Sequence, residues 1–165
     1  MLEEHLRLVR LAFAVSGDMG LAEDCAQEVL VRAWERVNRG TSPDSLSAWT
    51  TTVALNWCRS QLRRRGAESR ALERVPPARA GSDGAGTSLS PDVHRAVLAL
   101  PLRQREVVVL HYLLDQDIAT IARTAGISPG AVKNALFNAR AALARQLQSP
   151  GPALDPPLHP TQESP

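Results

Sequence analysis

A single lysine, a single tyrosine and two cysteines occur in 165 residues, and aromatic residues make up only 4% of the chain. Each scarcity narrows what the protein can be. Cys25 and Cys58 stand apart on separate predicted helices, with no CxxC pair. They form neither a disulfide framework nor a zinc pattern, and read as small buried apolar residues in a reducing compartment, the cytoplasm. The four histidines are scattered, so neither a metal site nor a cofactor is expected. No apolar run approaches the roughly 20 residues of a membrane span. Glu3 and Glu4 follow Met1 where a signal peptide would carry cations, so neither export nor membrane insertion is expected. Clustered carboxylates, a His/Cys ligand set and a Gly-rich phosphate loop are all missing, which argues against an enzyme.

Charge is present but unevenly placed. The net charge of +2 is modest. Between Cys58 and Arg74, however, stand six arginines (59, 63, 64, 65, 70 and 74) against Glu68 and Glu73. Glu23, Asp24, Glu28 and Glu35 outnumber Arg32 and Arg36 in the segment 23–36. One patch of each sign implies two kinds of partner.

The apolar spacing is helical throughout, Val107-Val108-Val109 included, so the expected fold class is all-α. A first helix spans about 2–15, with Leu2, Leu6, Val9 and Phe13 on its stripe. Asp18 can cap a second, about 20–37, whose Ala22, Ala26, Val29, Leu30, Ala33 and Val37 share one face. A third runs from about 44 to 65 through Leu46, Trp49, Val53 and Trp57, ending in Arg63-Arg64-Arg65-Gly66. Residues 67–91 are rich in Pro, Gly, Ser and Ala and predict a flexible linker. Helices follow over about 92–100 and 102–114. The tail 149–165 is Pro-rich, as disordered segments are. Two small helical domains result, 1–66 and 92–148, each with few core residues.

The stretch from Ile118 to Phe137 carries the most specific signal. Ile121, Ala122, Ala125, Ile127 and Val132 are spaced to bury a contact between two helices. Gly126 sits where the first helix must stop in the left-handed region. Ser128 offers an N-cap oxygen, and Pro129 falls at the first helical position. This is the pattern of a helix-turn-helix, whose second helix enters the DNA major groove. From Pro129 to Leu147 the only charged residues are Lys133, Arg140 and Arg145, all positive, as a phosphate-facing helix requires. An ordinary αα-hairpin would share the turn but has no need of an acid-free second helix.

The chain resembles the extracytoplasmic-function (ECF) sigma factors of bacterial RNA polymerase, which hold only sigma regions 2 and 4. LAEDCAQEVLVRAWER (21–36) is like the AED-x-x-QE-x-x-x-x-AW pattern of region 2. SAWTTTVALNWCRSQLRRRG (47–66) is like its AW-x-x-x-x-A-x-N stretch with a basic end. Residues 100–147 resemble region 4 through LP-x-x-x-RE-V, then D-x-x-IA and IS-x-G-x-VK, and a final AR-x-x-L.

The resemblance implies a specificity subunit with three working faces. Asp24, Gln27 and Glu28, at i, i+3 and i+4, would dock on core RNA polymerase; the plainer reading is a solvated helix face. Asn56, Arg59, Arg63, Arg64 and Arg65 would meet the melted promoter strand at the −10 element, although the arginines also suit a helix end. The loop 37–45 would hold an extruded base. Trp34 fits a core position. Trp49 and Trp57 fit either core packing or base stacking.

In the recognition helix, Lys133, Asn134, Phe137 and Asn138 would face bases and phosphates of the −35 duplex, with Arg140 on a phosphate. Phe137 would equally suit packing on the preceding helix. Ser60 replaces a family Asp. Ala135 and Asn138 replace frequent arginines, implying weaker binding and a shallower salt slope. An anti-sigma partner is also implied. The competing function is a stand-alone helix-turn-helix regulator, which would need dimer symmetry and a sensory pocket.

Overall fold

Helix ends follow the local chemistry of the chain. The structure, a computed structural model, describes residues 2–41, 43, 45–72 and 90–148. Over these residues it contains seven helices and no strand, as the periodicity predicts. They are α1 (Leu2–Ser16), α2 (Met19–Asn38), α3 (Leu46–Leu72), α4 (Pro91–Leu98), α5 (Leu102–Tyr112), α6 (Ile118–Ala125) and α7 (Pro129–Gln148). Most of the predicted linker and the whole predicted tail lie outside the described residues.

Asp18 caps α2 by accepting from the Leu21 amide at 2.8 Å. Ser90 and Asp117 cap α4 and α6 in the same way, on Val93 and Thr120. Such caps satisfy donors that a helix leaves unpaired at its first turn. One expected boundary fails. α3 continues past Gly66 to Leu72. A mid-helix Gly costs only about 1 kcal/mol, and the Ala67, Glu68 and Arg70 beyond it favour helix.

α1, α2 and α3 pack around Leu8, Leu11, Val15, Val29 and Leu55, all fully buried. The buried face of α1 is broader than one stripe. Every residue from Leu11 to Val15 is buried, whereas Leu2 and Leu6 are exposed. The reason is that α1 meets α2, α3, α4 and α5 at once. Its first turn is held to α3 by polar contacts. The Arg7 guanidinium donates to Glu4, Thr50 and Thr51, and Thr50 donates to Glu4 at 2.6 Å. The Arg7 contact, reinforced by Thr50, keeps the Glu4 carboxyl below the usual carboxylate range.

α4 to α7 form a second group around Val107, Leu110, Ile121 and Val132. The two groups share one continuous apolar core. Gly17, in the turn between α1 and α2, has φ +73°, and a Cβ there would lie 2.7 Å from Leu98 of α4. Phe13 stacks on His94 with ring centroids 4.5 Å apart. Arg105 donates to the Val15 carbonyl at 2.6 Å and to the carbonyls of Leu98 and Leu100.

Candidate functional site

The helix-turn-helix is assembled as its sequence predicts. Gly126 ends α6 in the left-handed region at φ 68°, its amide bonded to the Ala122 carbonyl. Ile127 bonds back to the same carbonyl at 3.0 Å. Ser128 Oγ accepts from the Ala131 amide at 3.2 Å, and Pro129 opens α7. Ile121, Ala122, Ala125 and Val132 are buried between the helices, with Ile127 half-buried.

This packing leaves the opposite side of α7 free. Lys133, Asn134, Phe137, Asn138 and Arg140 are all exposed. Phe137 is 71% exposed, so it does not pack on α6. Asn138 donates to Asn134 at 3.3 Å, linking two side chains that lie one turn apart. Arg140 is held from outside the helix. Its Nε donates to the Tyr112 hydroxyl at 2.7 Å, and its guanidinium lies 5.7 Å from that ring's centroid. Nothing local in the sequence links Tyr112 to a residue 28 positions away.

On α2, Asp24 and Gln27 are exposed, and Glu28 accepts from Arg32 at 2.8 Å. The same side carries apolar residues. Val31 is 54% and Trp34 62% exposed, so the core expectation for Trp34 is wrong. Val37 and Leu46, also expected in the core, are exposed too. Beside them lies a mostly apolar hollow of about 240 Å³ lined by Leu30, Ala33, Trp34, Val37 and Leu46, with Glu4 and Thr50 as its polar members. Helical spacing could not separate these residues from the core, because the burying surface lies on other helices. Trp49 is half-buried beneath Arg36, 5.3 Å from its ring centroid. Trp57 is half-buried against the core.

The five candidate residues on α3 are held differently: some are free and some are paired within the protein. Arg63 and Arg64 are exposed. Arg65 pairs with Asp18 at 2.6 Å, which, with the Leu21 amide, holds the Asp18 carboxyl below its usual range. Arg59 binds Glu106 of α5 through Nε at 2.6 Å and Nη2 at 2.9 Å, and donates from Nη1 to Asn56 at 3.0 Å. Cys25 and Cys58 are buried, their sulfurs 3.9 Å apart. Their mutual contact and burial push the Cys25 thiol upward, the opposite of a reactive thiolate. Among the described residues no three His, Cys, Asp or Glu side chains are grouped to hold a metal. No helix there is long and apolar enough to cross a membrane.

Residues 1–68 match the family model for Sigma-70 region 2, and residues 91–143 that for Sigma-70 region 4. The ECF RNA polymerase sigma factor SigM of Mycobacterium tuberculosis is 33% identical over 144 residues, covering 87% of this chain and 72% of SigM. The chain belongs to the ECF family of RNA polymerase sigma factors. It is also 32% identical over 146 residues to the "Probable RNA polymerase sigma factor RfaY" of Xanthomonas campestris; the match spans 83% of this chain but only 36% of that longer protein. Among solved structures it resembles the Bartonella quintana sigma factor RpoE in complex with the anti-sigma factor NepR. The TM-score is 0.71 at 27% identity, over 89% of this chain and 93% of RpoE. In family terms, α1 to α3 are the region 2 part of this sigma factor and α4 to α7 the region 4 part.

Proposed function

We propose that this ECF sigma factor directs core RNA polymerase to promoters through three surfaces. The α2 face of Asp24, Gln27 and Glu28, extended by Val31 and Trp34, docks on polymerase. Asn56, Arg59, Arg63, Arg64 and Arg65 of α3 serve the melted −10 strand. The apolar hollow at the ends of the 37–45 loop offers a displaced base a wall to lie on. Lys133, Asn134, Phe137, Asn138 and Arg140 read the −35 duplex from the major groove. The work is recognition and positioning, with no bond made or broken by this chain, and its place is the cytoplasm, beside the polymerase. An anti-sigma protein holds it at rest; the Bartonella sigma factor RpoE forms a complex with the anti-sigma factor NepR.

The observation that carries this reading is α7. Five polar, cationic or aromatic side chains stand exposed on an acid-free helix, directly after a left-handed Gly turn. Lysine offers a guanine or phosphate contact, asparagine an adenine contact, and phenylalanine a contact with a thymine methyl. Run-off transcription over a pool of genomic promoters, with core polymerase and with or without this protein, tests the reading. Protein-dependent transcripts that vanish on Lys133→Ala plus Asn134→Ala are expected. Duplex binding without polymerase, and no dependent transcripts, would instead mean a stand-alone helix-turn-helix regulator.

A further inference from the structure

One of the arginines assigned to the melted strand is already taken. The Arg59 guanidinium clasps Glu106 at two points, 2.6 and 2.9 Å, joining α3 to α5. Glu106 is 1% exposed and the Arg59 side chain 17%. Arg59 Nη2 also reaches the Ala125 carbonyl at 3.4 Å, at the last residue of α6 before the Gly126 turn. Arg103 donates to that same carbonyl at 2.9 Å and approaches Glu106 at 3.5 Å. With Nη1 on Asn56, every nitrogen of Arg59 is engaged inside the protein.

A carboxylate held at two points offers a guanidinium the same planar pair of acceptors that a phosphate does. We infer that Glu106 stands in for a promoter phosphate: its clasp on Arg59 keeps the free protein closed, and the clasp must open before α3 can meet melted DNA. The inference rests on the sigma-factor reading and adds a regulatory step to it. Independent contacts seal the same seam. Gly17 has no room for a side chain beside Leu98, Phe13 stacks on His94, and Arg105 donates to the Val15 carbonyl. Removing one partner of a buried ion pair leaves an uncompensated charge, so the closed form is sensitive to a single substitution.

The test uses the full chain with spin labels on cysteines introduced at Ala48 and Ala144, both exposed, while Cys25 and Cys58 remain buried. Pulsed electron paramagnetic resonance of the free protein should give one narrow distance distribution. Glu106→Gln and, separately, Arg59→Gln should broaden it toward longer distances, and the charge swap R59E/E106R should narrow it again. If Glu106→Gln loses its helical circular dichroism, Arg59→Gln, on the more exposed partner, carries the distance test alone. In transcription, Glu106→Gln should reach wild-type yield at saturation. If the closed form outnumbers the open about ten to one, half-saturation should come at roughly ten-fold lower protein concentration. Unchanged distances in both single variants, or a broad distribution in the wild type, would overturn the inference. Failure of the sigma-factor reading looks different: no transcripts from wild type at any concentration, with the distance results still standing.

Discussion

Arg140 is the side chain of the recognition helix whose position the fold decides most directly. Tyr112 holds its guanidinium by one hydrogen bond and by the face of its ring. Arg140→Ala should weaken binding of a −35 duplex and lower the salt slope by about one phosphate contact. Tyr112→Phe keeps the charge and loses only the hydrogen bond. It should weaken binding severalfold with the slope unchanged, as titration at several salt concentrations will measure; an altered slope would mean that Tyr112 itself meets the DNA backbone. Trp34 makes the complementary case on α2. At 62% exposure its loss should leave stability nearly unchanged. If it anchors the polymerase interface, Trp34→Ala should cost about 2 kcal/mol of affinity for core polymerase, read by competition binding. A wild-type affinity would remove Trp34 from the docking face. Neither residue's surroundings were legible in the sequence. Tyr112 gains its meaning from a distant partner, and Trp34 sits at a spacing that core residues share.

At the scale of elements the sequence was most informative where the chemistry is local. Asp18, Gly126, Ser128 and Pro129 all act where their types predict, because caps and turns are made by residues close in the chain. Gly126 is the sharpest case. Nothing lies within 4 Å of a Cβ added there, so its substitution tests backbone conformation alone. Gly126→Ala should cost about 1–2 kcal/mol in urea denaturation, the usual penalty for an L-residue in the left-handed region. A neutral result would mean that the turn relaxes. The end of α3 departs from its local signal for the converse reason. A Gly after three arginines looks like a stop, yet the helix formers that follow it carry the helix on to Leu72.

For the whole molecule, the joining of the region 2 and region 4 parts into one core is what the sequence hid. Phe13, Gly17 and Arg59 carry ordinary local signals, and only the fold brings them to His94, Leu98 and Glu106. Acid titration addresses that whole. Glu4 ties α1 to α3, Asp18 caps α2 and holds Arg65 of α3, and Asp117 caps α6; each carboxyl lies below its ordinary value, near 4. A depressed folded value means that the folded state holds its protons less tightly than the unfolded chain. The resulting stability is fully present above the unfolded value and is lost as pH falls toward the folded one. The melting temperature should therefore stay level from neutral pH down to about 5 and drop below about 4, with Arg65 and Arg7 losing their partners. Asp18→Asn, which keeps a capping oxygen but no charge, should lower the neutral-pH melting temperature and flatten part of the acid drop. A melting temperature that rises on acidification would show that these carboxylates are not what holds α1, α2 and α3 together.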